Sequence, residues 1–222
     1  KFAVGLLVVG IESVEVKVKE VIKVGRGWLA VVVGLALAPV CMGAPVVRWD
    51  FEAEPVEWYF QGEWQLIQAR DITNLPPGVE EFPSPTHAAY FGVIDAGVGS
   101  YDTGDRVEGQ LISPWIDVWP GGEVQPGDLI TVKFSHYRDV ESYPGEYDKT
   151  AVYLGIFDNQ GRWWDEEAGV WRGDWENFVG LEIFYLDSST PCEDGWQTVE
   201  CREVRLPAGT VGLEIWFVFD SV

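Results

Sequence analysis

The densest set of side chains that could do chemistry is an aromatic and acidic segment over residues 162–176. Four tryptophans lie in it, Trp163, Trp164, Trp171 and Trp175, and carboxylates are interspersed among them. Aromatic rings stack on the apolar face of a sugar, and carboxylates accept hydrogen bonds from its hydroxyl groups. The segment therefore predicts a glycan-binding platform. A structural role, in which the four indoles cap one end of the fold and pack on one another, is the alternative.

A second pattern of acidic side chains indicates a cation site. Asp50 and Glu52 lie near the start of the acidic part of the chain, and Asp220 lies near its end. Calcium takes carboxylate and carbonyl oxygens and neutralises local repulsion, so structural calcium is expected in an exported acidic β-domain, with these carboxylates as candidate ligands. Two further loops are weaker candidates, and neither has the spacing of a helix–loop–helix calcium loop; they contain Asp102 with Asp105, and Glu146 with Asp148.

The sequence gives little indication of catalysis. His87 and His136 are the only histidines, and the chain contains no His-Glu-x-x-His, Cys-x-x-Cys or Gly-x-Ser-x-Gly motif. We expect both histidines to be structural or on the surface. Paired carboxylates for glycoside hydrolysis are defined by their separation in space, so a secreted glycan-active hydrolase of sandwich fold stays open as the alternative function.

The elements that must position these side chains are predicted to be β-strands. From residue 46 onward the dominant hydrophobic period is two, as in residues 128–136, where Ile130, Val132 and Phe134 share one face. Turn-forming Pro, Gly and Asn residues separate such segments. Further strands are predicted over 46–52, 63–67, 88–93, 109–118, 150–157, 179–186, 196–206 and 211–219. This pattern predicts an all-β, two-sheet antiparallel sandwich of the jelly-roll kind.

An export segment is predicted before this domain. Residues 27–47 carry no charge, and an apolar run over 28–40 follows Lys23 and Arg26. We assign 24–44 as a signal peptide, with an uncleaved membrane anchor or a lipid on Cys41 as alternatives. The chain starts without Met, and its only Met lies inside the export segment, so we leave residues 1–23 out of the fold as an unassigned leader. The globular domain is then 45–222.

Charge and cysteine content limit the partners and the compartment. The chain has 36 acidic and 15 basic side chains, a net charge of −21, which repels nucleic acid and anionic membrane surfaces. We expect membrane contact only through an uncleaved export segment. Export leaves Cys192 and Cys201 in an oxidising compartment, so a disulfide between them is predicted, with two reduced buried thiols as the alternative. The expected location is secreted or at the cell surface.

The order of several short motifs resembles a known family. The motifs are Trp-Asp-Phe-Glu at 49–52, Leu-Ile-Ser-Pro-Trp-Ile-Asp at 111–117 and Phe-Ser-His-Tyr at 134–137. They resemble the MAM-like jelly-roll domains of secreted and surface proteins, in particular the bacterial ones that accompany immune-inhibitor-A-type metallopeptidases. The resemblance implies a concanavalin-like sandwich with neighbouring domains and a non-catalytic role in adhesion, glycan contact or protein contact. It also implies that the terminal strands meet, which would bring Asp220 near Asp50 and Glu52, and that the C-terminal part of the pattern is missing.

Overall fold

The fold of the chain is known from a computed structural model, which describes residues 10–19, 45–49, 51–52, 57–73, 86–101, 105–140, 147–192 and 195–221. These residues form antiparallel strands and two short 3₁₀ helices, Ala69–Asp71 and Trp175–Asn177. None of them forms a helix long and apolar enough to cross a membrane. The predicted all-β class is therefore confirmed.

Seventeen strands are described. In chain order they are β1 (Gly10–Lys19), β2 (Pro45–Trp49), β3 (Tyr59–Gln61), β4 (Trp64–Gln68), β5 (His87–Phe91), β6 (Val93–Asp95), β7 (Val98–Ser100), β8 (Val107–Ile112), β9 (Ile116–Asp117), β10 (Leu129–Tyr137), β11 (Lys149–Asp158), β12 (Trp163–Asp165), β13 (Val170–Arg172), β14 (Leu181–Leu186), β15 (Gln197–Glu200), β16 (Val204–Arg205) and β17 (Thr210–Ser221).

The first sheet has the order β15, β10, β1, β5, β4, with β16 also on β10 and β2 also on β1. Strand β1 pairs with β10 from Val14 to Lys19 and with β2 along its other edge. Its Val16 is buried in the core. Residues 10–19, which the sequence analysis left out of the fold with the rest of 1–23, are therefore part of the first sheet. The segment alternates with a period of two, and that pattern is sufficient for a strand when both edges find partners.

The second sheet has the order β13, β12, β11, β17, β8, β3, with β14 also on β11 and β9 also on β17. Strand β17 is the longest, and it pairs with β11 along one edge and with β8 and β9 along the other. A separate hairpin consists of β6 and β7. The predicted export segment at 24–44 lies outside the described residues.

The core lies between the two sheets. Phe91 and Phe134 of the first sheet contact Phe219 and Phe217 of the second, with ring centroids 4.5 Å and 5.2 Å apart. Buried aliphatic side chains such as Leu213 complete the same cluster. Two sheets that pack face to face over such a layer form a β-sandwich, as the sequence predicted.

Candidate functional site

The candidate site lies on the outer face of the second sheet, which we define as the face turned away from the core. On β11, Val152 and Leu154 are in the core, so the intervening Tyr153 lies on the outer face. On β17, Trp216 pairs with Tyr153 and lies on the same face. Aromatic side chains on this face are thus held in register by the strand pairing.

A tight turn after β11 brings the tryptophan-rich segment onto this face. The Asp158 carboxylate accepts hydrogen bonds from the backbone N–H groups of Gln160 and Arg162, both at 2.9 Å, and from Nε of Arg162 at 2.8 Å. Gly161 has a φ of 71°, which favours glycine. Burial raises the pKa of Asp158, but the hydrogen bonds from Arg162 and Gln160 outweigh it and leave the pKa below its usual range. The carboxylate therefore stabilises the turn into β12.

The structure separates the four predicted platform tryptophans. Trp163 is buried, its Nε1 donates to the carbonyl oxygen of Asp174 at 3.4 Å, and its ring packs edge-on to Phe178 at 5.6 Å. Trp164 and Trp171 are cross-strand partners, half-buried, with ring centroids 5.2 Å apart. Both pack against the core. These three indoles are held by packing, as the alternative structural reading described.

Trp175 has a different environment from the other three. It is 53% exposed and its ring stacks on Phe157 with the centroids 5.7 Å apart and the planes 21° apart. The four indoles therefore do not form one continuous platform.

A groove of about 710 Å³ lies beside the β12–β13 hairpin, and we call it the hairpin groove. It opens between this hairpin and residues 177–182 on the outer face. It is lined by Tyr153, Trp163, Trp164, Asp165, Glu166, Glu167, Arg172, Asp174, Asn177, Val179, Gly180, Leu181 and Glu182. Two of the four predicted tryptophans, Trp163 and Trp164, contribute to this lining.

The charged side chains of the hairpin groove are held in fixed orientations. Asp165 accepts hydrogen bonds from the backbone N–H of Ala168 at 2.9 Å and from Nε of Arg172 at 2.5 Å. The hydrogen bond from Ala168 has the largest effect on the pKa of Asp165 and lowers it. The hydrogen bond from Arg172 lowers this pKa further. Glu166 pairs with Arg202, with 2.7 Å between Oε2 and Nη2. Carboxylate oxygens and a guanidinium group thus line the groove in a defined geometry.

Tyr153 and Glu182 form one wall of the groove. They are cross-strand partners on β11 and β14. Burial, followed by the charge of Glu182, raises the pKa of Tyr153. Neither residue was predicted as part of the site, because 150–157 was predicted as a strand without assigning its two faces. The polar hydroxyl of Tyr153 within that run was the available indication of an outer face.

The predicted calcium ligands have protein partners in the structure. Phe51, at a φ of 57°, turns the chain so that Glu52 accepts hydrogen bonds from the backbone N–H groups of Thr86 and His87, both at 2.9 Å. Asp220 is paired with Arg106 through two hydrogen bonds of 2.9 Å and 2.8 Å. Asp50 lies outside the described residues.

The Arg106 guanidinium thus balances the charge of Asp220 in the structure. No group of three or more His, Cys, Asp or Glu side chains suited to a metal ion occurs within the described ranges. Structural calcium at Asp50, Glu52 and Asp220 stays a prediction of the sequence. The thermal midpoint measured in EDTA and then in excess calcium tests it, because a ligand of the folded state raises the midpoint.

The predicted disulfide is not formed. Cys192 is exposed and its Sγ accepts a hydrogen bond from the backbone N–H of Val140 at 3.4 Å. Cys201 is buried in the core between the sheets, where burial raises the pKa of its thiol to about 12. The two thiols are free because one faces the core and the other the surface.

The two histidines lie on the first sheet, away from the hairpin groove. His87 Nε2 is 2.8 Å from Nε2 of Gln68, at one end of β5. His136 is buried on β10, and burial, followed by the charge of Arg138, lowers its pKa to about 4. His136 is therefore neutral at physiological pH.

Comparisons with known proteins complete the description of the site. No protein-family model and no curated protein matches the sequence. Among solved structures, the chain is similar to the enzymatically active domain of tailspike protein 4 of bacteriophage CBA120, with a TM-score of 0.38 and 14% sequence identity. The match covers 76% of this chain and 18% of that chain. The sandwich fold is therefore assigned from the strands and their pairing.

Proposed function

We propose that this chain is a non-catalytic, exported binding module that contacts glycans through the hairpin groove. The observation that carries the proposal is the combination, in one groove, of aromatic rings with fixed carboxylates, an arginine and an amide. Tyr153 and Trp164 supply ring surface, Asp165 and Arg172 supply an oriented charged pair, and Asn177 supplies an amide. Sugars are recognised by this combination of ring surface and hydrogen-bonding groups.

The charge of the chain narrows the class of glycan. A net charge of −21 disfavours polyanions such as sulfated or uronic-acid-rich chains, so the proposed ligand is an uncharged glycan. Two parts of this proposal come from the sequence alone. The predicted export segment supports the exported location, and the short motifs support the resemblance to MAM-like domains. A module of this kind would work as one part of a larger secreted or surface protein, beside neighbouring domains.

The proposal is tested by measuring retention of the folded chain on immobilised neutral glycans, with cello-, laminari- and malto-oligosaccharides as the panel. We expect retention on at least one series. The Glu182→Gln variant should reduce it, because the substitution removes the charge from the groove wall at nearly unchanged volume. Trp119→Ala is the control, since Trp119 is 53% exposed and does not line the hairpin groove.

The same experiment separates binding from hydrolysis. The panel is incubated with the protein, and new reducing ends are measured after binding equilibrium. We expect none, because the proposal assigns binding alone to the groove carboxylates. New reducing ends that depend on Glu182 or Asp165 would contradict the non-catalytic proposal and support the hydrolase alternative. Loss of retention in Trp119→Ala as well as in Glu182→Gln would show that retention is non-specific.

A further inference from the structure

A row of side chains crosses the outer face of the second sheet from the hairpin groove to the opposite edge. Strand pairing places Tyr59 opposite Ile112, Ile112 opposite Trp216, Trp216 opposite Tyr153 and Tyr153 opposite Glu182. Tyr153 and Glu182 line the hairpin groove, and Tyr59 is at the other end of the row. Four steps between neighbouring strands make the row roughly 19 Å long.

A second cleft of about 510 Å³ lies at the Tyr59 end, and we call it the Tyr59 cleft. Its lining includes Glu57, Tyr59, Trp115 and Glu214. Tyr59 and Trp115 are among the most exposed large aromatic side chains that the structure describes. The cleft thus repeats the composition of the hairpin groove, with aromatic rings beside carboxyl groups.

The Trp115 ring and the Glu214 carboxyl of the Tyr59 cleft are preorganised. The Trp115 indole lies directly on Gly212, where an added Cβ would be 1.7 Å from a ring carbon, and its Nε1 donates to Asp117 at 3.2 Å. Glu214 is half-buried and accepts a hydrogen bond from Nε1 of Trp216 at 3.1 Å. Burial raises the pKa of Glu214 above its ordinary value. Preorganised side chains reduce the entropic cost of binding a ligand.

An aromatic ridge connects the two clefts. Phe178 packs on Trp216 in the middle of the row, with the ring centroids 4.7 Å apart. Trp115 and Trp175 both stack on Phe157, at 5.3 Å and 5.7 Å and with planes within 23°. Trp175 is the exposed side chain of this ridge. It provides ring surface between the two clefts, where the ridge covers the sheet.

We propose that the ligand is a linear, uncharged polysaccharide chain that lies across the outer face, from the hairpin groove over Trp175 to the Tyr59 cleft. This inference rests on the proposed function and adds the shape of its ligand. A linear chain suits the site because both clefts have the same chemistry and lie in one row. When one chain occupies both clefts, its overall affinity exceeds the affinity of either cleft alone, and neither cleft needs additional contacts.

The test compares a disaccharide with the hexasaccharide of the series that is retained, by isothermal titration of the full chain. We expect the hexasaccharide to bind at least about tenfold more tightly than the disaccharide. Trp115→Ala should remove this gain, so that the hexasaccharide binds the variant about as weakly as the disaccharide binds the unmodified chain. Tyr59→Ala is a second variant, because Tyr59 is on an edge strand and 59% exposed and its removal leaves the core intact.

The outcomes separate this inference from the proposed function. If Trp115→Ala and Tyr59→Ala both bind the hexasaccharide as the unmodified chain does, the linear-chain inference is wrong and the hairpin groove is a site on its own. If the folded chain binds no oligosaccharide of either length, the proposed function and this inference both fail. A protein partner for the aromatic face is then the remaining explanation.

Discussion

At the scale of single residues, Asp158 is the side chain whose role in the site is most directly testable. Asp158→Asn keeps the shape but weakens the hydrogen bonds from Arg162 and Gln160 that form the turn into β12. We expect a loss of about 1–3 kcal/mol in the free energy of unfolding near neutral pH, measured by urea denaturation. Exposed Glu123 provides the control variant Glu123→Gln, which should change stability little.

The same variant has a predicted pH dependence. The folded-state pKa of Asp158 is below its unfolded value of about 3.9, so its contribution is present above that pH and is lost as pH falls through the folded pKa. The stability difference between Asp158→Asn and the unmodified chain should therefore shrink in acid. A difference that stays constant down to the acid-unfolding region would contradict the assigned role.

We predict a second pH dependence of stability, which originates from the buried His136. Its folded-state pKa is about 4, and the unfolded value is about 6.5, so between these pH values the unfolded chain binds an extra proton. Stability should fall with decreasing pH across this window by up to about 1.4 kcal/mol per pH unit. His136→Phe removes the titrating group and keeps a ring beside Phe134 and Phe184. Urea denaturation at several pH values should show a smaller slope for the variant, and equal slopes would contradict the assignment.

The residues of the candidate site were only partly predictable from the sequence. The density of tryptophan and acidic residues located the hairpin, and Trp163 and Trp164 do line its groove. Tyr153 and Glu182 were not predictable, because they are 29 positions apart in the chain and only strand pairing makes them neighbours. The spacing of the two cysteines in the sequence could not show whether each thiol is buried or exposed, since the burial of Cys201 depends on how the sheets pack.

At the scale of elements, the turn between β3 and β4 positions the edge strand that carries Tyr59. Gly62 has a φ of 69°, and an added Cβ would lie 2.2 Å from the carbonyl oxygen of Glu108. Gly127 has a φ of 93° with open space around its Cβ position. Gly62→Ala should therefore destabilise the chain by clearly more than Gly127→Ala. The Gly127→Ala variant measures only the penalty of a side chain at positive φ, about 1 kcal/mol, because its added Cβ has open space around it. Equal effects of the two variants in urea denaturation would show that the close approach to Glu108 is not constraining.

Sequence periodicity predicted the longer strands well and the shorter ones poorly. The expected strands at 128–136, 150–157 and 211–219 correspond to β10, β11 and β17. The expected strand at 109–118 is two strands, because Pro114 cannot donate a ladder hydrogen bond. The three-residue strands β12 and β13 were missed, since a period of two cannot be recognised over so few residues. These missed strands form the groove.

At the scale of the whole molecule, the place of β1 in the first sheet was missed, because a strand separated from β2 by the apolar segment was attributed to a leader. Val16 is 1% exposed in the core, whereas Val93 is 39% exposed. We expect Val16→Asp to lower the free energy of unfolding by about 3 kcal/mol or more, since it buries an unpaired charge. Val93→Asp, the matched control, should change it by less than about 0.5 kcal/mol.

Urea denaturation of the full chain distinguishes the two arrangements of the N-terminal part. A Val16→Asp variant as stable as the Val93→Asp control would mean that β1 is not part of the folded core, as the sequence analysis assumed. Destabilisation specific to Val16→Asp would confirm the β1 pairing with β10 and β2.

The central claim is that the outer face of the second sheet binds an uncharged glycan. The most direct measurement is isothermal titration of the retained oligosaccharide into the unmodified chain, Glu182→Gln and Trp119→Ala. We predict saturable binding to the unmodified chain, the same affinity for Trp119→Ala, and an affinity at least about fivefold lower for Glu182→Gln, because a hydrogen bond to a charged group is lost. Equal affinities for all three proteins would contradict the assignment of the groove, and the absence of any heat of binding in a folded sample would contradict the glycan claim itself.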